Sequence, residues 1–413
     1  MARIETGRMA AMLFLPLLLV FSGCTDTTGR AIFDASGGDG VSDAADIFAE
    51  VARDALDVPD VPDVPVDAVV PDVPAEVTDV VEEPCSDGEL RCLVDTAERC
   101  EDGVWVDIGE CPLGCDETSA ECYVPSNLPA DLMDPTAGDV DLTGTSRDIT
   151  MDTDTGEIRD ASGGSIRGPV LGYDSVTGTS FAVIDQGEGL PGIGVFVVGD
   201  FTVPGGATLH AEGTNALAIL ASGSIVVNGI ISICASGQDP GPGGWRGGND
   251  GEAGTGPCPR SPGEGTASTE HHCTSGGGGG GFGGTGGSGG DAITECTYAG
   301  GSGGGPCGRP QITPLIGGSG GGGGGIAVGD TSSFPGTGGG GGGALQLVAA
   351  IQVSLGDGGG VHAAGDGGGE SNIAGGGGGG AGGAVLIEAP DVDVNGGAVI
   401  AANAGGGGAG DCT

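Results

Sequence analysis

Glycine supplies 96 of the 413 residues, and its runs are broken by short β-branched phrases that repeat. Residues 225–227, Asn228-Gly229 and 230–233 are echoed by 392–394, Asn395-Gly396 and 398–401. Further copies run over 201–213 and 351–365. A unit of roughly 20 residues is too short to bury its own apolar face, so it is stable only when stacked on copies of itself. Strand patterns fall at 195–198, 201–203, 208–211, 217–220, 225–227 and 230–235. Turn residues separate them at Pro204-Gly205-Gly206 and Asn228-Gly229, and the pattern resumes at 345–347 and 385–387. Short strands of one period, stacked in register, predict an all-β chain with a parallel β-helix, or solenoid, over 126–413.

Between the coils lie the glycine-rich stretches 236–344 and 366–383, read here as arms of that solenoid. Phe282-Gly283-Gly284-Thr285-Gly286-Gly287-Ser288-Gly289-Gly290-Asp291 places a side chain at every third residue. Three residues per turn is the polyproline II geometry, which has no internal hydrogen bonds. A buried segment of that kind must find its partners sideways. The pattern resembles polyglycine-II sandwiches such as those of certain phage tail-fibre adhesin tips. Collagen, the other three-residue fold, fails because this stretch lacks Pro. Ordering glycine is entropically expensive, and cross-links offset part of that. Cys258, Cys273, Cys296 and Cys307 are therefore expected to be disulfide staples of the long insertion.

The N-terminus carries an address. Arg3 and Arg8 precede an apolar run over 9–21 and then Ser22-Gly23-Cys24, the layout of a signal peptide over 1–23. Ser-Gly before a lone Cys resembles the lipobox of bacterial lipoproteins, although Phe21 stands where Leu is commoner. The resemblance implies acylation of Cys24. Thr25, in place of the Asp that retains family members at the inner membrane, implies anchoring in the outer membrane. Residues 24–84 follow as an acidic stalk, with Val-Pro-Asp repeats that favour extended polyproline II. At about 3.1 Å per residue the part from Asp57 to Pro84 would reach on the order of 85 Å.

Six cysteines, Cys85, Cys92, Cys100, Cys111, Cys115 and Cys122, fall within a module over 85–125. An exported unit this small lacks an adequate core, so three disulfides are expected, with 15 pairings open. Zinc is disfavoured, because the module has no Cys-x-x-Cys pair and no His. Asp102-Gly103 marks a hairpin turn, with Trp105 expected as the module's small core. The module resembles Cys-rich units of other bacterial surface lipoproteins, and the stretch from 149 onward resembles Gly-rich outer-membrane and cell-surface lipoproteins. Phrases such as Ala216-Leu217-Ala218-Ile219-Leu220 and Gly383-Ala384-Val385-Leu386-Ile387 carry that second likeness. It implies an architecture and no activity.

Acidic residues outnumber basic ones 57 to 12, every basic residue is Arg, and the net charge is -45. Such a chain repels phosphate backbones, which excludes nucleic acid as a partner. Parallel β-helices host polysaccharide lyases and hydrolases, so a carbohydrate-active enzyme is the rival reading. Those reactions need converging carboxylates or a basic residue beside them. Here Lys is absent, the coils carry no Arg, and the pair Asp391 and Asp393 reads as a solvated strand face. Gly-x-Ser-x-Gly falls only inside glycine runs, as at 286–290, 300–304 and 317–321, with no strand-to-helix elbow pattern around it, and no phosphate loop occurs.

The expected function is non-enzymatic: adhesion or surface interaction, with a purely structural coat component as a further alternative and no cofactor. The membrane is one partner, through the lipid; a polysaccharide or another cell-surface protein is the other. Trp245, Arg246, His271 and His272 are candidate contact residues of the arms, since exposed aromatics and Arg at loop tips make binding hot spots. Aligning the coils places His210, Cys234 and His362 at one equivalent position, a weak candidate column for a soft metal.

Overall fold

The computed structural model describes residues 85–93, 96–111, 113–116, 119–144, 147–258, 262–268, 273–292, 296, 298–329 and 331–410. The signal 1–23, Cys24, the stalk to residue 84, and His271 and His272 lie outside the described residues.

Residues from Cys85 to Cys122 form a small disulfide unit. Strands β1 (Leu90–Leu93), β2 (Thr96–Glu101) and β3 (Val104–Glu110) make an antiparallel sheet. Asp102 and Gly103 turn the second hairpin with φ of 53° and 78°, the paired positive values of a type I′ turn. The pairings are Cys85–Cys100, Cys92–Cys115 and Cys111–Cys122. Trp105 is not the core expected of it. The interior is Ala97, Cys111, Cys115 and Ala120, because disulfides fill so small a unit. Trp105 instead carries the Arg91 guanidinium 4.2 Å above its ring.

The remaining strands form three sheets. Strands β4 (Val140–Asp141), β5 (Asp148–Asp152), β6 (Ile158–Asp160), β7 (Ser165–Arg167), β8 (Gly172–Asp174) and β9 (Thr179–Ile184) come first. Four triplets follow: β10 (Ile193–Val198), β11 (Phe201–Val203) and β12 (Thr208–Glu212); β13 (Ala216–Ala221), β14 (Ser224–Val227) and β15 (Ile230–Ser232); β16 (Ala344–Ala349), β17 (Gln352–Leu355) and β18 (Gly360–His362); β19 (Ala384–Glu388), β20 (Asp391–Val394) and β21 (Val399–Ala401). Each triplet gives one strand to each sheet and pairs in parallel with the next. Inward side chains align in rows such as Phe196, Ile219 and Leu347, or Leu209, Ile231 and Val361, all fully buried. These rows are the hydrophobic core.

The expectation of a parallel β-helix over 126–413 is corrected by the sheets themselves. The fold is all-β, but its sheets are open and two of these three are mixed. β9 pairs antiparallel with β10, and β8 with β9, while β6 and β7 extend the third sheet antiparallel from β5. The physical reason is the first triplet's edge. Unpaired backbone groups there would template aggregation; β9 covers β10 in antiparallel pairing, and β4 and β5 cover β11 and β12 in parallel. Arg167 locks this cover. It is 1 % exposed and donates to Thr179 Oγ1 and to the carbonyls of Gly156, Gly168, Val170 and Gly172. Burial lowers its pKa, against the opposing pull of Asp174.

Nor are the glycine stretches arms. They run as extended segments packed side by side into one body on the strand stack. Segment 317–325, buried along its whole length, shows the rule. Gly318, Gly321 and Gly324 donate to Gly342, Gly339 and Gly336; Gly320 and Gly323 to Thr255 and Glu252; Gly322 and Gly325 to Gly278 and Ser275. Its carbonyls accept with the same spacing, from Trp245, Gly248 and Gly251, from Ala381, Gly378 and Gly375, and from Gly265. Its backbone groups thus rotate through successive neighbours with a period of three. Its one side chain, Ser319, is buried against the Cys258 sulfur; a Cβ on Gly324 would lie 1.7 Å from the Gly375 oxygen, and one on Gly323 1.8 Å from that of Asn249. Cys258–Cys307 and Cys273–Cys296 cross-link this body.

Candidate functional site

The glycine body stops short of completing itself on one face. Gly279 and Gly280, the stretches 282–287 and 379–385, and Ala402, Ala404 and Gly405 line a groove of about 930 Å³, together with Leu190, Ile312 and the stretch 307–310. What faces it follows from the three-residue rotation. In segment 375–383, Gly375, Gly378 and Ala381 donate to Gly325, Gly322 and Ser319, and Gly377, Gly380 and Gly383 donate to Gly369, Asp366 and Ala363. The third row, the N–H groups of Gly376, Gly379 and Gly382, has no acceptor among the described residues. Gly376 and Gly379 are nevertheless buried.

The other three walls repeat this arithmetic. Ser275 and Gly278 accept from Gly325 and Gly322, and Gly276 and Gly279 accept from Gly301 and Gly304, which leaves the Gly277 and Gly280 carbonyls without a donor among the described residues. Gly286 and Gly289 donate to Gly304 and Gly301, whereas the N–H groups of Gly284, Gly287 and Gly290 donate to no described residue. Gly405 and Gly408 donate to Gly380 and Gly377, while the carbonyls of Ala402, Gly405 and Gly408 accept nothing from the described residues. Of these unbonded groups, the N–H groups of Gly284, Gly287, Gly379 and Gly382 and the carbonyls of Gly280, Ala402 and Gly405 belong to residues that line the groove. Gly284, Gly287 and Gly290 are exposed to water, whereas Gly376 and Gly379 are buried, where an unpaired group costs about 1–3 kcal/mol. Among the described residues, Arg309 is the only charged one on the groove's lining. The walls offer backbone polarity, apolar contact and the Thr285 and Thr313 hydroxyls, and among the described residues they hold no carboxylate, imidazole or free thiol.

The side chains singled out from sequence lie elsewhere. Trp245 is half-buried within a glycine segment, donating its N–H to Gly318 and accepting from Gly341. Arg246 is exposed beside Asp239, with Nε 3.6 Å from the carboxylate. His271 and His272 fall outside the described residues. The proposed column of His210, Cys234 and His362 is off by two residues. His210 pairs with Ser232, and Ser232 with His362, so Cys234 lies farther along the chain, and it is disulfide-bonded. His210 stands 3.9 Å from Asp148 on the surface, and burial lowers the pKa of His362. Among the described residues no group of three or more His, Cys, Asp or Glu is placed to hold a metal. Asp391 and Asp393 sit on the exposed face of β20, across from Gln352 and Ser354.

Sequence reasoning missed the groove. The signal available was the spacing of Gly284, Gly287 and Gly290 between the side chains of the three-residue repeat. No protein-family model, curated protein or solved structure matches the chain.

Proposed function

We propose that this chain is a non-enzymatic lipoprotein, anchored through Cys24 in a bacterial outer membrane and displayed at the cell surface, whose glycine body serves adhesion or surface interaction. The observation that carries this reading is the groove: a channel lined by unbonded backbone donors and acceptors and, among the described residues, without a carboxylate, imidazole or free thiol. A backbone-lined wall recognises an extended chain by its repeating donors and acceptors, which suits a surface polysaccharide or a protein segment. The signal-like N-terminus and acidic stalk supply the address and the reach.

The test is a glycan-array and whole-cell binding assay with the full chain, alongside a Gly284→Leu, Gly287→Leu variant that fills the groove from its wall. Binding by the native protein and its loss in the variant is the expected result. Equal binding by both would remove the groove from the account, and turnover of a polysaccharide would overturn the non-enzymatic reading.

A further inference from the structure

Residues with unbonded backbone groups line the groove, and the glycine segments on either side of it have bonded neighbours on one side only. Among the described residues, the backbone of 284–290 bonds to 276–279, 301–304 and the adjoining Phe282, and that of 402–408 to 365–368 and 377–380. Each is a ridge with neighbours on one side. A ridge of this kind carries rows of free donors and acceptors at a period of three, and the groove between the ridges presents the complementary rows at the same period. We propose that the groove is a vacant position in the glycine lattice and that the ridge of a second copy of this chain fills it, so that two copies interlock. This rests on the reading above that the glycine body is an interaction surface, and it names the partner.

Two independent observations favour a second copy. The first concerns which glycines the fold requires. In the buried segments an added Cβ strikes a carbonyl, as at Gly324, Gly321 and Gly375, within 1.7 to 2.0 Å. On the ridges the same addition at Gly283, Gly284, Gly287, Gly290 or Gly406 meets nothing within 4 Å. The fold leaves room for side chains there, yet the chain keeps glycine, at an entropic cost of roughly 0.5–1 kcal/mol each. Gly284 and Gly287 line the groove, and bare backbone at those places is what close approach by another backbone needs.

The second is charge. The chain carries a net charge of -45, so most of its surfaces repel a like copy. Residues 282–290, 374–383 and 402–410 contain no charged side chain. The face where interlocking would occur is the face from which the self-repelling groups are missing.

Sedimentation velocity of the full chain in density-matched detergent, across a wide concentration range, reads this directly. The native protein should self-associate, and Gly287→Leu and Gly406→Leu, each placing a side chain where the isolated fold has space, should each weaken association by at least tenfold. Both variants should keep the native circular dichroism and free-thiol count. A native chain that stays monomeric at every concentration overturns the proposal; if it still binds cells or glycans, the functional reading stands without it. Association retained in both variants also overturns it and moves the contact elsewhere, the uncovered strands β19–β21 being one place. Binding of a Gly-Gly-Ser repeat peptide in the groove without self-association would replace the second copy by a foreign glycine-rich segment and likewise refute the proposal.

Discussion

Replacing Gly324 by alanine tests the glycine lattice at its centre. The new Cβ would lie 1.7 Å from the Gly375 oxygen and 2.4 Å from its carbonyl carbon. A non-bonded contact needs about 3.5 Å, so segments 317–325 and 375–383 must part by roughly 1.5–2 Å. That separation breaks the bonds from Gly375 to Gly325, Gly378 to Gly322 and Ala381 to Ser319. Three bonds at about 1 kcal/mol each, plus about 1–3 kcal/mol for a donor stranded in the interior, set the loss. Alanine's smaller unfolded entropy returns about 0.4–1 kcal/mol. The net expectation is a destabilisation of roughly 3–6 kcal/mol, whereas Gly287→Ala, with nothing within 4 Å of its Cβ, should be neutral or slightly stabilising. Urea unfolding of the full chain with its disulfides intact measures both. A loss below about 1 kcal/mol at Gly324, or equal losses at the two positions, would refute the reasoning.

Three further outcomes follow from the same geometry. Replacing both Cys258 and Cys307 by serine opens a link between residues 49 apart in sequence and should cost about 4 kcal/mol in the chain-entropy model, read from the unfolding midpoint; an unchanged midpoint would remove its role as a staple. Arg167→Met keeps the bulk but strands the carbonyls that the guanidinium now satisfies, so a loss of about 2–4 kcal/mol is expected, with the 148–184 region exchanging its amide hydrogens first. The Asp160 carboxylate is held below its ordinary pKa by the Ser162 hydroxyl and the Gly164 N–H; a depressed folded pKa means that its stabilising contribution is full above about pH 4 and is lost as pH falls through the lower folded value. The stability difference between the native chain and Asp160→Asn should therefore vanish in acid, and a difference that grows on acidification would contradict this.

What the sequence revealed depended on side chains. The β-branched phrases located strands such as Phe201–Val203, Ser224–Val227 and Ile230–Ser232, because alternation of inward and outward residues is written in them. The outer strands Ser165–Arg167 and Gly172–Asp174 are three residues long and partly polar, so nothing in their pattern announced that they would extend the sheets in antiparallel pairing. Register failed at Cys234 because the phrase 230–235 continues past the end of its strand, and Ser232, two residues earlier, takes the place opposite His210 and His362. The glycine body was the least legible part. A glycine run carries no side chain to say which segment lies beside which, so neither the six neighbours of 317–325 nor the groove could be read from it. The choice of partner is made by backbone groups alone, and these are identical at every residue.

Amide hydrogen exchange, resolved at individual glycines in the full chain at dilute concentration, tests the central claim most directly. The account predicts slow exchange at Gly318, Gly321 and Gly324, whose N–H groups bond to neighbouring segments, and fast exchange at Gly379 and Gly382, whose N–H groups face the groove unbonded. Protection should alternate along one segment, with Gly378 and Gly380 slow on either side of Gly379. Uniform fast exchange throughout 317–325 and 375–383, or equal protection of Gly378, Gly379 and Gly380, would contradict a lattice with a vacant position.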